Sequence, residues 1–203
     1  MVKKINSPQE ALLPSEFGKF RVFSFVSEPP SDDPIIVLLS EHLDTQLPIT
    51  LRIHSECLTG DVFSSQRCDC GFQLHKSLDL IGKNGGMLIY LRQEGRGIGL
   101  HHKIAAYKLQ DEGYDTVEAN EKLGFLPDER DFSDAVSILN YFEIKAVRIL
   151  TNNPNKVKTL ENAGIQIIER IPIIMNPDED SIQYLHTKRD KLGHLIPDSY
   201  GNE

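Results

Sequence analysis

The chain carries three cysteines, Cys57, Cys68 and Cys70, in the spacing C-x10-C-x-C. Their neighbours are polar (Thr59, Asp61, Ser64, Ser65, Gln66, Arg67, Asp69), whereas a cysteine that only fills a core sits among apolar side chains. The other reading is a metal. An iron–sulfur cluster and a closed structural zinc site each take four ligands. Three thiolates with an open fourth position are the donor set of a catalytic zinc that activates water. His54 or His75, both near in the chain, would close the site instead. His54-Ser55-Glu56 imitates the H-x-E of the zinc deaminases, but their second half is P-C-x-x-C, and here it is Cys68-Asp69-Cys70. Three thiolates on a divalent ion leave a net negative charge. A cation should stand beside them, and Arg52 and Arg67 flank the cysteines.

Two further segments carry anion chemistry. Arg92-Gln93-Glu94-Gly95-Arg96-Gly97-Ile98-Gly99 has glycines at alternate positions, which lets backbone N–H groups approach an anion. It is neither a P-loop nor G-x-G-x-x-G. A tight turn explains it as well as a phosphate cradle does; Arg92 and Arg96 supply charge for the second. Thr151-Asn152-Asn153-Pro154-Asn155-Lys156 reads as a capped helix start, and a helix start favours anions. Leu126-Pro127-Asp128-Glu129-Arg130-Asp131 reads as a solvated acidic loop, and His101-His102 as surface.

These residues need a scaffold. Lys19–Ser27, Pro34–Ser40 and Pro48–His54 have the β-branched and aromatic content of strands. Glu28 to Pro34 is a loop by composition. Phe72–Lys83 predicts a helix with Leu74, Leu78 and Ile81 on one face, and Gly99–Gln110 one with Ile104, Ala105 and Leu109 at helical spacing. Gly86–Leu91 and Ala146–Leu150 are short apolar strands. Ser133–Phe142 predicts a helix capped by Ser133, with Ala135, Val136 and Leu139 apolar. Asn153-Pro154 opens another, Gly164 closes it, and Gly164–Ile171 is a strand. Hairpins first and βαβα afterwards give an α/β (α+β) fold with a mixed β-sheet and flanking helices.

Composition limits the partners. The chain has 203 residues, 22 Lys+Arg against 30 Asp+Glu, and a net charge of −8. Neither duplex nucleic acid nor an anionic membrane is expected to find a footprint on it. An anionic ligand must be held by a local basic cluster. An odd cysteine count argues against a disulfide framework and for a reducing compartment. No apolar h-region follows Lys3-Lys4, and no run approaches the ~18 apolar residues of a membrane span. The expectation is a cytoplasmic protein of one domain, residues 1–203, with a polar tail from Asn176.

Taken together, these segments resemble GTP cyclohydrolase II. The likeness lies in Arg52-Ile53-His54-Ser55-Glu56-Cys57-Leu58-Thr59-Gly60-Asp61, Arg67-Cys68-Asp69-Cys70-Gly71-Phe72-Gln73-Leu74 and the run from Arg92 to Leu100. It continues in Gly113 to Asn120, Asp128 to Phe132 and Thr151 to Lys156, all in family order. The resemblance implies hydrolysis of GTP to 2,5-diamino-6-(5-phosphoribosylamino)pyrimidin-4-one, formate and pyrophosphate, at the start of riboflavin synthesis. It implies one Zn²⁺ per subunit on Cys57, Cys68 and Cys70, and Mg²⁺ on the triphosphate. The family's GTP contacts fall on Arg52, Ile53, His54, Ser55, Glu56 and Gln73. The rest fall on Glu94, Gly95, Arg96, Thr116, Thr151 and Lys156. Asp128 takes the place of the proton acceptor. Arg130 takes that of a nucleophile toward the α-phosphate, with charge stabilisation the alternative because its pKa is above 12. Tyr107 is a candidate for positioning water or the base. The resemblance also implies a homodimer, and the chain's length implies no second, dihydroxybutanone phosphate synthase domain. A paralogue that binds nucleotide without turnover, or one that stops at a formylated product, is the alternative.

Overall fold

The computed structural model of the chain describes residues 5–26, 33–41, 43–175 and 182–197. Packing divides the chain into two units. The first comprises Met1–His54, His75–Arg92 and Asp131–Ile173; the second comprises Ser55–Leu74, Gln93–Arg130 and Ile174–Glu203.

The first unit is built on a seven-stranded sheet. Its strands are β1 (Gln9–Ser15), β2 (Gly18–Phe25), β3 (Ile35–Ser40), β4 (Ile49–Ser55), β5 (Met87–Leu91), β6 (Ala146–Leu150) and β7 (Gln166–Ile171). They lie in the order β1-β2-β3-β5-β4-β6-β7. β1 to β2, β2 to β3 and β3 to β5 pair antiparallel, whereas β6 runs parallel to β4 and β7. The sheet is therefore mixed, as the change from hairpin to βαβ patterning requires. Alternation in β3 buries Ile35, Val37 and Leu39. Helix α5 (Ser133–Tyr141) adds Ala135, Val136, Ile138 and Leu139 to the same core. Each of the valine, leucine and isoleucine side chains contributes about 1.5–3 kcal/mol on burial. Phe142 meets Phe23 edge-on, ring centroids 5.1 Å apart.

The strand and helix expectations fall on these elements, with small shifts at the ends. One cap differs. Phe132 is the N-cap of α5 and Ser133 its first residue. The Asp131 carboxylate accepts from the Ser133 backbone N–H at 2.9 Å and its hydroxyl at 2.6 Å, because a carboxylate is the stronger acceptor for an unsatisfied N–H. Helix α6 (Pro154–Asn162) begins as expected, with the Asn153 side chain accepting from Asn155 N–H at 2.8 Å.

The second unit is helical. It holds α1 (Leu58–Asp61), the first residues of α2 (Cys70–Asn84), a 3-10 turn at Glu94–Gly97, α3 (Gly99–Asp111), α4 (Thr116–Lys122) and α7 (Ile182–Asp190). In α3 the apolar periodicity picks the wrong face. Ile104 is 50% exposed, while Lys103 and Ala106 are buried. This helix packs toward a polar site rather than an aliphatic core, so its inward face is not its most apolar one. α4 starts on a capping box: Asp115 accepts from Val117 and Glu118 N–H, and Glu118 answers to Asp115 N–H.

The polar stretch from Asn176 contains α7, with Leu185 only 2% exposed. Residues 176–181 and 198–203 of that stretch, and most of the Glu28–Pro34 loop, lie outside the described residues. Among the described residues, no helix is long and apolar enough to cross a membrane.

Candidate active site

Within the second unit the three cysteines converge. Their sulfurs all lie within 4.8 Å of one another, and Cys57 and Cys68 are 3.6 Å apart. A tetrahedral zinc with sulfur at ~2.3 Å places its sulfurs ~3.8 Å apart, so this spacing suits the ion. Two glycines permit the approach. A Cβ at Gly60 would lie 3.0 Å from the Cys68 sulfur and 3.2 Å from that of Cys57. One at Gly71 would fall 2.3 Å from the Gly60 carbonyl oxygen. Hydrogen bonding from Cys68 and Cys70, with Lys103 alongside, holds the Cys57 thiol far below the ordinary thiol range. Hydrogen bonding to Cys57, together with burial, pushes Cys68 up to about 11 and Cys70 well above its usual value. Holding all three as thiolates would take a compensating cation, which a thiophilic divalent ion would supply. Among the described residues no other group of histidines, cysteines and carboxylates converges in this way.

Lys103, on α3, is the cation beside this cluster. Its Nζ donates to Glu94 Oε1 at 2.8 Å, Thr59 Oγ1 at 2.9 Å and the Cys57 sulfur at 3.1 Å. Burial works against its charge, but Cys57 and Glu94 hold its pKa above the ordinary lysine value. Glu94 also accepts from Leu58 N–H at 2.6 Å and Gly95 N–H at 2.7 Å. The Tyr107 hydroxyl lies 3.2 Å from Thr59 Oγ1. Arg67 takes no such place: it is exposed, bonded to Asp111 at 2.5 Å, with its guanidinium 5.0 Å from the Tyr107 ring.

One pocket is lined by the three cysteines together with Ser55, Glu56, Glu94, Gly95, Arg96, Thr116, Arg130 and Tyr184. Arg96 sits at φ +62°, a left-handed conformation that costs a non-glycine residue about 1–2 kcal/mol. Its Nη1 and Nη2 are buried with no hydrogen-bond partner. Buried guanidinium donors of this kind suit an anionic ligand.

Arg130 is clamped by Asp128, donating from Nε to Oδ1 at 2.8 Å and from Nη2 to Oδ2 at 2.6 Å. Burial opposes ionisation of both partners, but Arg130 holds Asp128 below 3.8 and Asp128 holds Arg130 above its usual value. A lowered carboxylate pKa adds stability above the unfolded value and loses it as pH falls through the folded one. Asp128→Asn should therefore cost about 2 kcal/mol between pH 5 and 8. The gap to the parent should close below pH 3.8. Urea titrations of both proteins across that range check it; a gap that stays constant into acid would be wrong for this pair.

Arg52, Ile53, His54, Thr151 and Lys156 lie in the first unit. Arg52 Nη1 donates to the Leu150 carbonyl at 2.9 Å, and its Nη2 is 3.3 Å from His54 Nδ1. His54 stacks on Tyr90 at 5.4 Å. Lys156 donates to the Ile53 carbonyl at 2.8 Å, and Thr151 Oγ1 accepts from Asn153 N–H at 3.0 Å. The parallel pairing of β4 with β6 gathers this group at the carboxyl ends of those strands and the start of α6. Gln73 is in the second unit, donating to Asp69 Oδ2 at 2.6 Å.

Sequence reading missed the role of Lys103 beside the thiols, took Asp69 only as a polar neighbour of the cysteines, and missed Tyr184 and Lys188. A signal existed for Lys103: Lys103, Tyr107 and Gln110 repeat at helical spacing along α3, a polar stripe that periodicity of apolar residues ignores. Tyr184 and Lys188 have the same i, i+4 spacing on α7, and the apolar pattern passes over them in the same way.

A profile of the GTP cyclohydrolase II family matches residues 6–172. The chain is 50% identical over 185 residues to the riboflavin biosynthesis protein RibBA of Bacillus subtilis, across 91% of this chain and 46% of that protein. It is 52% identical over 189 residues to the GTP cyclohydrolase-2 of Buchnera aphidicola subsp. Schizaphis graminum, across 93% of this chain and 96% of that one. The chain thus spans about half the length of the Bacillus relative and nearly all of the Buchnera relative. Among solved structures, RibBX from A. baumannii, a two-domain 3,4-dihydroxy-2-butanone 4-phosphate synthase, aligns over 72% of this chain and 34% of its own, at 13% identity and a TM-score of 0.39.

Proposed function

This chain belongs to the GTP cyclohydrolase II family, and on that footing we propose that it hydrolyses GTP in riboflavin biosynthesis, releasing formate and pyrophosphate. The observation that carries the reading is one pocket holding both a three-thiol cluster and the partnerless Nη groups of Arg96. Ring opening needs an activated water, and the triphosphate needs a cation; the two requirements meet there. Cys57, Cys68 and Cys70 would hold a zinc ion, one per subunit, which when bound supplies the Lewis acidity for opening the imidazole ring. Mg²⁺ would travel with the triphosphate, as hard cations do.

The chain's own residues do the rest. Arg96 receives a phosphate oxygen through Nη1 and Nη2. Ser55, Glu56, Gly95 and Thr116 line the same pocket. Glu94 is already committed to Lys103 and to the Leu58 and Gly95 N–H groups, so it shapes the site rather than reading the base. Asp128 Oδ1 and Oδ2 are held ionised and can take up a proton, though the Arg130 clamp makes the carboxylate a weak base. That clamp also makes neutral Arg130 scarcer, so we assign Arg130 to charge stabilisation at the phosphate rather than to nucleophilic attack. Thr59 Oγ1 lies 3.7 Å from the Cys57 sulfur and 3.2 Å from the Tyr107 hydroxyl, and the two hydroxyls can orient water. Arg52, Ile53, His54, Gln73, Thr151 and Lys156 remain proposed GTP contacts by family position. A homodimer in the cytoplasm is part of the same reading.

The test is product identity. Zinc-replete protein with Mg²⁺ and GTP should give formate, pyrophosphate and the diaminopyrimidine in equal amounts. Bound GTP with no formate, or a product that keeps its formyl group, would sink the assignment. Arg130→Ala should slow pyrophosphate release by about 100-fold or more, the scale of one lost charge-stabilising group. Unchanged pyrophosphate release would remove Arg130 from that role.

A further inference from the structure

Helix α7 lies beyond the span matched by the family profile, yet it brings two side chains to the site. Tyr184 lines the pocket. The Arg96 guanidinium carbon stands 5.5 Å from its ring centroid and Lys188 Nζ 4.5 Å. Tyr184 and Lys188 are one turn apart and share a helix face. Lys188 Nζ donates to Asp69 Oδ1, and the two side chains are 9% and 3% exposed. Asp69 separates Cys68 from Cys70, and its other oxygen accepts from Gln73 at 2.6 Å. A second ion pair, Lys191 with Asp115, ties the end of the helix to the cap of α4.

Two physical problems meet their solution in this helix. A buried carboxylate between two thiolates adds negative charge where negative charge is already crowded, and it needs a fixed cation. Lys188 is that cation. Arg96 must hold its guanidinium still while leaving its in-plane donors open. A face-on aromatic ring does this, since it engages the cation without using an N–H. Tyr184 is that ring.

We propose that α7 is a positioning element of the active site. Lys188, through Asp69, fixes the segment that presents Cys68 and Cys70. Tyr184 backs Arg96 so that Nη1 and Nη2 face the anionic substrate. The second half rests on the reading of the pocket as a GTP site; the first half stands on the thiol cluster alone.

The test uses the full chain. Lys188→Met should bind zinc about 10–100-fold more weakly in competition with a chromophoric chelator, the usual loss for a residue that supports metal ligands. Lys188→Arg should recover most of that affinity. Tyr184→Leu should keep parental zinc affinity and raise KM for GTP about tenfold, with kcat nearly unchanged. Parental zinc affinity in Lys188→Met, or an unchanged KM in Tyr184→Leu, would overturn the corresponding role. So would a loss in Tyr184→Leu carried by kcat alone. If Lys188→Met does not fold by circular dichroism, Asp69→Asn breaks the same pair with an isosteric amide and must show the same zinc loss. If the parent releases no formate, the GTP reading fails while the zinc comparison still decides the part played by Lys188.

Discussion

Cys68→Ser is expected to lower formate release by at least about 1000-fold, the loss of the several kcal/mol that metal-assisted hydrolysis supplies. Serine keeps the volume, so the close packing around Gly60 survives and the fold should stay intact. What changes is the donor: a neutral hydroxyl is a poor zinc ligand beside two thiolates. Zinc content should fall with the activity. Pyrophosphate release should fall less, because the proposed assignment gives cleavage at the phosphates to Arg96 and Arg130 rather than to the sulfurs. Measuring both products in one reaction makes the comparison direct. Equal loss of formate and pyrophosphate would mean that the two hydrolyses are coupled and that the division of labour between sulfur and guanidinium groups is wrong. Retention of formate release would remove the thiol cluster from the chemistry.

Local chemistry explains which parts of this arrangement are legible in sequence. The cysteine cluster is legible because metal ligation demands particular atoms at close quarters, and a polar neighbourhood betrays them. The strands of the sheet are legible because burial imposes period-two or continuous apolar runs, as in Ile35, Val37 and Leu39. α6 is legible from Asn153 and Pro154, which act within one turn. Helix α3 shows the limit. Its buried face holds Lys103, because the partner surface is a set of sulfurs and a carboxylate, and apolar periodicity cannot report a polar partner. α7 shows it more strongly. Its sequence from Ile182 to Asp190 is polar, and beside the buried Leu185 it is held by ion pairs of Lys188 with Asp69 and Lys191 with Asp115, both far away in the chain. Sequence-distant charge pairing leaves no local trace. The capping box at Asp115 and Glu118 is the opposite case, a local signal that announces α4 to a reader who looks for caps rather than for hydrophobic spacing.

The cation beside the thiols gives the second large effect, and it separates two assignments of that role. From chain order the candidates are Arg52 and Arg67; in the folded second unit the cation is Lys103. Lys103→Met keeps the length of the side chain and removes its charge. Glu94 then remains buried, with its side chain 9% exposed, and loses the strongest of its partners. Removing one member of a buried pair costs about 3–5 kcal/mol. The Leu58 and Gly95 N–H groups still serve Glu94, so the lower end is expected. For a chain of this size, about 3 kcal/mol lowers Tm by roughly 6–12 °C. Formate release should fall about 10–100-fold, since Cys57 loses the donor that orients it. The pKa of Lys103 is raised, so its contribution is fully present below the unfolded value of 10.5 and is lost only as pH climbs through the higher folded value. The Tm difference should hence be constant from pH 6 to 9. Arg67→Met is the control. Its ion pair with Asp111 is exposed on both sides, and such pairs contribute about 0–1 kcal/mol. Calorimetry and formate assays on the two variants, side by side, decide the matter. A large loss in Arg67→Met with little change in Lys103→Met would return the role to the arginine. The expected order places the compensating charge on the polar stripe of α3, where it offsets the negative thiol cluster without standing in the way of a tetra-anionic substrate.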